Sequence, residues 1–175
     1  ATDPVGLAPV ADAPAGADRI SQPMQLDFAP STRTAQLAQD DEMLEIFLEE
    51  ARDVIATAGE ARSELAASPD DLSLMTTLRR AFHTLKGSSR MVGLKDFGEA
   101  AWACEQLYNT HLADQRAMPA PLLDFTEWCL GYLSGWVDDI SARRAPTHDA
   151  PTVIAAAERI SVAPESQQQQ PPVRR

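Results

Sequence analysis

The chain has 175 residues and a formal net charge of -11, with 26 acidic residues against 15 basic ones. This balance argues against a nucleic-acid or anionic-membrane binder, because phosphate backbones and anionic headgroups attract clustered Lys and Arg. No apolar run reaches the roughly 20 residues of a membrane span, so we expect a cytoplasmic protein whose partners are other proteins. Cys104 and Cys129 fall at core positions of predicted helices and supply neither a disulfide framework nor metal-ligand spacing.

Residues 1–39 are dominated by Ala, Pro, Asp and small polar side chains. They offer too few large apolar groups to offset the entropy of ordering, so we expect a disordered linker there. The composition shifts at Asp40 and Asp41, where acidic side chains favour the positive end of a helix dipole. A first helix is therefore predicted from Asp40 to about Ser68. Its apolar positions recur at three- and four-residue spacing: Leu44, Phe47, Leu48, Ala51, Ile55 and Ala58.

Three more amphipathic helices follow. The second starts at Asp70 and Asp71 and ends at Gly93. Its apolar stripe is Met75, Leu78, Phe82 and Leu85. The third follows this glycine and ends before Pro119. Its apolar positions are Leu94, Phe97, Ala101, Cys104, Leu107 and Tyr108. The fourth carries Pro121 in its first turn. Its core stripe is Phe125, Cys129, Tyr132, Leu133, Trp136 and Ile140.

Four amphipathic helices joined by short turns predict an all-α fold, an antiparallel up-down-up-down four-helix bundle over residues 40–144. Residues 145–163 can form a short fifth helix, with apolar side chains at Val153, Ile154, Ala157 and Ile160. Residues 164–175 are polar and proline-rich, and we expect a second disordered linker there. The sequence shows no strand alternation and no glycine-rich phosphate loop.

His83 lies on the side of the second helix that points away from the apolar stripe. Steps of three and four residues from it, and one further turn, reach four cations and a glycine: Arg79, Arg80, Lys86, Gly87 and Arg90. In an acidic chain this local positive surface suits an anion, and we expect that anion to be a phosphoryl group on His83. A neutral imidazole is a competent nucleophile at physiological pH, and phosphate bound to it stays transferable.

Three residues near this histidine have chemistry that fits such a transfer. Lys86, one turn along the helix, would offset oxyanion charge during in-line attack. Gly87 costs up to about 1 kcal/mol in a helix interior relative to Ala, and we expect it to leave room for a docking partner. Glu105 lies at the edge of the third helix's apolar stripe and can reach towards the second helix. Its carboxylate would accept a hydrogen bond from the N–H of one imidazole nitrogen and leave the other nitrogen free to attack phosphorus.

Residues 81–94, with His83-Thr84-Leu85-Lys86-Gly87-Ser88 at their centre, closely resemble the signature of histidine phosphotransfer (Hpt) domains. The resemblance extends over residues 40–144, and is particularly to the phosphoacceptor domains of chemotaxis-type hybrid histidine kinases that control type IV pili. It implies phosphorylation at the outward nitrogen of His83, charge assistance from Lys86, clearance at Gly87 and a hydrogen bond between the imidazole and Glu105. Some chemotaxis kinases have a second histidine one turn before that glutamate, where this chain has Trp102.

The same resemblance implies the partners. An Hpt domain has no kinase activity alone, and receives phosphate from the ATP-binding domain of its parent chain or from a receiver aspartate. We therefore expect the parent chain to be a protein-histidine kinase, linked to twitching motility. The partners would be response-regulator receiver domains and that kinase domain, with neither nucleic acid nor a membrane. Magnesium would be held by the receiver and ATP by the kinase domain, so no cofactor or metal is expected here. The sequence leaves open which donor acts.

Other residues on the surface near His83 have either a partner-binding or a purely structural interpretation. We expect Arg79, Arg80, Ser88 and Arg90 to contact the partner, although outward charges on a helix are often only solvated. Trp102 shares a helical edge with Glu105 and can border the phosphorylation surface or pack in the bundle.

The sequence also bears on alternatives to a phosphotransfer role. His111 and His148 lack ligand-spaced partners and are expected to be incidental. A non-phosphorylated helical docking or dimerisation domain is the competing function, but such a domain would lose the histidine or its glycine. A metal enzyme in the bundle core is disfavoured, because no Glu-x-x-His pair is present.

Overall fold

The computed structural model of the protein describes residues 30–162. They form five helices: α1 (Pro30–Ala67), α2 (Leu72–Met91), α3 (Lys95–Asp114), α4 (Ala120–Ser141) and α5 (Ala150–Val162). Within this range there are helices and turns but no strand, so the predicted all-α fold is confirmed. The first four helices are joined by short turns and make the four-helix bundle. The fifth occupies the region where a short helix was predicted.

The chain divides into two compact units, Ala1–Gln36 and Leu37–Arg175. Of the first unit the structure describes only the start of α1, residues 30–36. The second unit holds the rest of α1 and the other four helices. The linkers predicted for residues 1–29 and 164–175 lie outside the described residues.

The first helix begins earlier than the sequence predicted, at Pro30 instead of Asp40. Proline is well tolerated in a first helical turn, and the residues that follow include the good helix formers Ala, Gln, Leu and Arg. Residues 33–43 are all exposed. The expectation of a disordered linker was wrong for residues 30–39, because helix propensity does not require burial.

The ends of α2 follow the signals that the sequence carries. Asp71 caps its first turn, because the carboxylate accepts hydrogen bonds from the backbone N–H groups of Ser73 (2.9 Å) and Leu74 (3.2 Å). Gly93 follows its last turn with φ +82°, a left-handed conformation that glycine adopts without strain. The resulting tight turn brings α3 back beside α2, and this pairing places the candidate site.

The hydrophobic core lies between the four bundle helices. Phe97 of α3 is central to it, since its ring packs edge-on against Phe47 of α1 (centroids 5.6 Å apart) and Trp136 of α4 (5.2 Å). The predicted stripe of α2 is buried as expected: Met75, Leu78, Phe82 and Leu85. Each such side chain contributes about 1.5–3 kcal/mol through burial. These contacts hold α2 with one face inward and the other face open.

Helix α5 packs against α3 and α4, and Val153 anchors it as a fully buried side chain. Among residues 30–162, none of the helices combines the length and apolarity that crossing a bilayer demands.

Candidate functional site

His83 stands on the surface in the middle of α2. Its side chain is 61% exposed, whereas Phe82 and Leu85 on the same helix are fully buried. The helical period explains the contrast, because residues 82 and 85 fall on the inward stripe while residue 83 is rotated about 100° away from residue 82. In the structure of residues 30–162, the imidazole is therefore accessible to a large reaction partner.

Glu105 of α3 holds this ring in place. The imidazole Nδ1 lies 2.8 Å from the Glu105 Oε1, a hydrogen bond between the two helices. The glutamate side chain is only 7% exposed. The buried carboxylate of Glu105 thus fixes the orientation of the exposed imidazole of His83. The sequence placed Glu105 at this helix edge, and the structure brings it to His83.

Lys86, one turn after His83, contacts the other oxygen of the same carboxylate. Its Nζ lies 2.7 Å from Glu105 Oε2, and its side chain is 18% exposed. The contact is an ion pair between the ammonium group of Lys86 and the carboxylate of Glu105. The structure therefore brings His83, Lys86 and Glu105 together, with the carboxylate bridging the two basic side chains.

The charge state of Glu105 decides the tautomer of His83. Burial raises the pKa of Glu105, but hydrogen bonding and charge from Lys86 and His83 outweigh it, so the pKa is lowered from its ordinary value of 4.5. The carboxylate is ionised at neutral pH and can only accept hydrogen bonds. Nδ1 of His83 must then carry the proton that it donates. In the neutral ring, Nε2 keeps its lone pair and is the nucleophilic nitrogen.

Gly87 is exposed beside the lysine. A Cβ built at this position would meet no atom within 4 Å. The glycine is therefore not needed for packing among the described residues, although it weakens the helix relative to alanine. Its presence next to His83 stays compatible with clearance for a partner, which is the role predicted for it.

Ser88 and Arg90 make contacts within the bundle that the sequence did not predict. Ser88 Oγ donates a 2.7 Å hydrogen bond to Glu50 Oε1 and so ties α2 to α1. Arg90 lies across α3 at Gly98, where an added Cβ would come within 2.9 Å of the Arg90 Cγ. Gly98 thus permits the close approach of the arginine side chain, which remains exposed.

The remaining residues predicted to contact a partner are Arg79, Arg80 and Trp102. Arg80 is exposed and Arg79 is half-buried. In the region from 30 to 162, neither they nor Arg90 form an ion pair with an acidic side chain. Trp102 is 46% exposed and lines a groove of about 250 Å³ between α3 and α5. It lies one turn before Glu105 and is not packed in the bundle core.

Two features were missed by sequence reasoning. His148 is not incidental to the structure, because its Nδ1 lies 2.7 Å from the Asp139 Oδ2 and its ring packs edge-on against Tyr132. The sulfur atoms of Cys104 and Cys129 lie 3.1 Å apart. Neither pairing has a signal in a single sequence, since each depends on how two elements are aligned. By contrast, His111 only approaches the backbone carbonyl of Leu107 in its own helix, at 3.2 Å.

The described residues contain no group of three or more His, Cys, Asp or Glu side chains arranged to hold a metal ion. The arrangement they do contain is a nucleophilic imidazole on the surface of a helical bundle, with its second nitrogen held by a buried carboxylate. This fold and site define a class of helical bundle that presents an exposed histidine held by a buried carboxylate.

Comparison with known proteins places the chain in that class by sequence. A family model described as the Hpt domain matches residues 42–144, more than half of the chain. The protein therefore belongs to the Hpt domain family.

Individual relatives cover the same region. Two proteins named chemotaxis protein CheA, from Listeria monocytogenes and Listeria innocua, are each 26% identical over 98 residues. That match covers 56% of this chain but only 16% of each relative. A solved structure, the CheA phosphotransferase domain from Thermotoga maritima, is similar with a TM-score of 0.54 and 24% identity. It covers 57% of this chain and 95% of that domain, and at this identity it supports the fold alone.

Proposed function

We propose that the protein is the histidine phosphotransfer module of a two-component phosphorelay. His83 accepts a phosphoryl group and passes it to an aspartate of a response-regulator receiver. The observation that carries this proposal is the exposed imidazole of His83, whose Nδ1 lies 2.8 Å from the buried carboxylate of Glu105. Membership of the Hpt family supports it.

The transfer is an in-line substitution at phosphorus. The lone pair on Nε2 of His83 forms the N–P bond while the P–O bond to the donor breaks, and the donor leaves as ADP or as a receiver carboxylate. The ring gains positive charge as the bond forms. Glu105, which holds the opposite nitrogen, stabilises that charge and keeps the ring oriented for attack.

Lys86 contributes in two ways in this scheme. Its ion pair with Glu105 holds the carboxylate in the position from which it orients His83. Its ammonium group, one helical turn from the imidazole, also offsets part of the negative charge on the phosphoryl oxygens. The phosphoryl group is then held by residues of the protein without a cofactor. Magnesium is expected on the receiver, and ATP on a separate kinase domain.

The open face of α2 is the proposed docking surface for receivers and for the kinase domain. Gly87 gives the partner backbone room to approach His83. Arg79, Arg80 and Arg90 supply positive charge for the acidic phosphorylation site of a receiver, which speeds encounter more than it adds affinity. Ser88 and Trp102 lie at the border of this surface. Neither nucleic acid nor a membrane is expected as a partner.

The setting proposed for the module is a chemotaxis-type signalling system in the cytoplasm. The relatives named chemotaxis protein CheA support such a system. The finer proposal, a hybrid kinase that controls type IV pili and twitching motility, is based on the resemblance carried by residues 81–94. Both donors, a kinase domain and a phosphorylated receiver, remain part of the proposal.

The test incubates the chain with phosphorylated receivers, and separately with the ATP-binding domain of a CheA-type kinase. Acid-labile label should appear on the wild type and on the control His111→Gln, but not on His83→Gln. Because the His83 side chain is 61% exposed, its substitution should leave the fold intact, which circular dichroism checks. Equal labelling of His83→Gln would overturn the proposal, and so would a wild type that no donor labels.

A further inference from the structure

Cys104 of α3 and Cys129 of α4 face each other inside the bundle. Their sulfur atoms lie 3.1 Å apart, and both residues are free thiols with no exposed surface. They are 25 residues apart in sequence, one on α3 and the other on α4. A disulfide requires an S–S separation of about 2.05 Å, so the two sulfur atoms would need to approach by about 1 Å.

We propose that this pair is a modification site, at which a peroxide converts the two thiols into an intramolecular disulfide. The site lies in the α3–α4 contact and does not involve His83. The proposed oxidation therefore does not rest on the phosphotransfer function proposed above.

The chemistry balances with hydrogen peroxide as the oxidant. One cysteine, as its thiolate, attacks a peroxide oxygen and becomes a sulfenic acid while hydroxide leaves. The second thiol attacks that sulfur, forms the S–S bond and releases water. In total, two thiols and one peroxide give one disulfide and two water molecules. Because the second thiol is already in contact with the first, condensation should outrun further oxidation of the sulfenic acid.

Burial makes the reaction slow and selective. It raises the pKa of the Cys104 thiol well above its ordinary value, with the contact to Cys129 adding to the rise, so little thiolate is present at neutral pH. Peroxide reaches the sulfur atoms only when the contact between the two helices opens. The modification therefore accumulates under sustained exposure to peroxide and not in a brief pulse.

The disulfide would have a structural consequence at the candidate site. It closes a loop between α3 and α4, which lowers the entropy of the unfolded chain and raises the melting temperature. Cys104 is followed directly by Glu105 in α3. The cross-link thus fixes to α4 the turn of α3 that carries this glutamate.

The experiment exposes the full chain to hydrogen peroxide over hours, then blocks free thiols with an alkylating agent in denaturant. Mass spectrometry should show a monomer that has lost two hydrogen atoms and takes up no alkyl group. Digestion should yield one cross-linked pair of peptides containing Cys104 and Cys129. The melting temperature should rise after oxidation and return to its starting value after treatment with dithiothreitol.

Cys104→Ala and Cys129→Ala serve as matched controls, and neither should form the cross-link or gain thermal stability. If either variant fails to fold, the peptide map of the wild type still decides the matter. Recovery of two alkylated cysteines after prolonged exposure would overturn the proposal. Disulfides found only between separate chains would overturn it as well.

Discussion

Glu105 and His83 lie on different helices and differ widely in exposure, 7% against 61%, yet their side chains meet in a 2.8 Å hydrogen bond. The turn at Gly93 folds α3 back along α2, and in this alignment Arg90 lies beside Gly98 and His83 beside Glu105. The distance along α2 from His83 to Arg90 thus equals the distance along α3 from Glu105 back to Gly98, seven residues in each helix. The candidate site follows from this helix pairing and not from a loop.

Replacing Glu105 with Gln should slow phosphorylation of His83 by about 10- to 100-fold, because the ring loses the charge that orients it and stabilises its cationic form. The amide keeps the shape of the side chain, but it leaves Lys86 without its counter-ion. The initial rate of label uptake from a fixed donor measures the effect. Glu99→Gln, at an exposed position of the same helix, is the control and should react at the wild-type rate. A normal rate for Glu105→Gln would remove this residue from the site.

The lowered pKa of Glu105 predicts how stability depends on pH. A carboxylate whose pKa is lower in the folded state contributes stability above its unfolded pKa, and this contribution is lost as pH falls through the folded value. The free energy of unfolding should therefore fall more steeply with acidification in the wild type than in Glu105→Gln. Urea titrations from about pH 7 to about pH 3 measure the difference. Parallel curves would contradict the ionised, paired state of Glu105.

Two substitutions of Gly87 should affect helix stability and phosphoryl transfer separately. Since an added Cβ meets no atom within 4 Å, Gly87→Ala should raise the free energy of unfolding by about 0.5–1 kcal/mol. Gly87→Leu should keep the helix but slow transfer with receivers by more than about tenfold, since a clash of about 1.4 kcal/mol already costs that factor.

The control for Gly87 is Gly131 of α4, an exposed glycine at which an added Cβ also meets nothing. Gly131→Leu should leave receiver exchange unchanged. Urea denaturation and transfer assays on all three variants make the comparison. Wild-type exchange by Gly87→Leu would show that no partner needs the space beside His83.

His148 should matter for the attachment of α5, although it is remote from the chemistry in sequence. Its hydrogen bond to Asp139, at 2.7 Å, and its edge-on contact with Tyr132 connect the segment before α5 to α4. His148→Ala should lower the melting temperature by several degrees and increase amide exchange in α5. His111→Ala, which removes only a contact to its own helix, should change both much less. Equal effects in the two variants would count against the role assigned to His148.

The sequence was informative where local pattern determines structure. Apolar spacing predicted the buried face of α2, and the same period placed His83, Lys86 and Gly87 on the opposite side. Glu105 could be proposed as the orienting residue because its position at the edge of the α3 stripe allowed only a sideways reach.

Other features depend on contacts between elements that no local pattern records. The start of α1 at Pro30 was missed because exposed residues can be helical through propensity alone. The contact between Cys104 and Cys129 needs the relative register of α3 and α4. The contact of His148 with Asp139 needs the path of the segment that leaves α4. Each of these is fixed by packing, which the sequence determines only through the whole fold.

Phosphorylation of the chain labelled with nitrogen-15, followed by NMR, identifies which ring nitrogen of which histidine carries the phosphoryl group. We expect a single phosphohistidine at position 83, with phosphorus on Nε2 and a proton retained on Nδ1 beside Glu105. Phosphorus on Nδ1, or on any other residue of the chain, would contradict it.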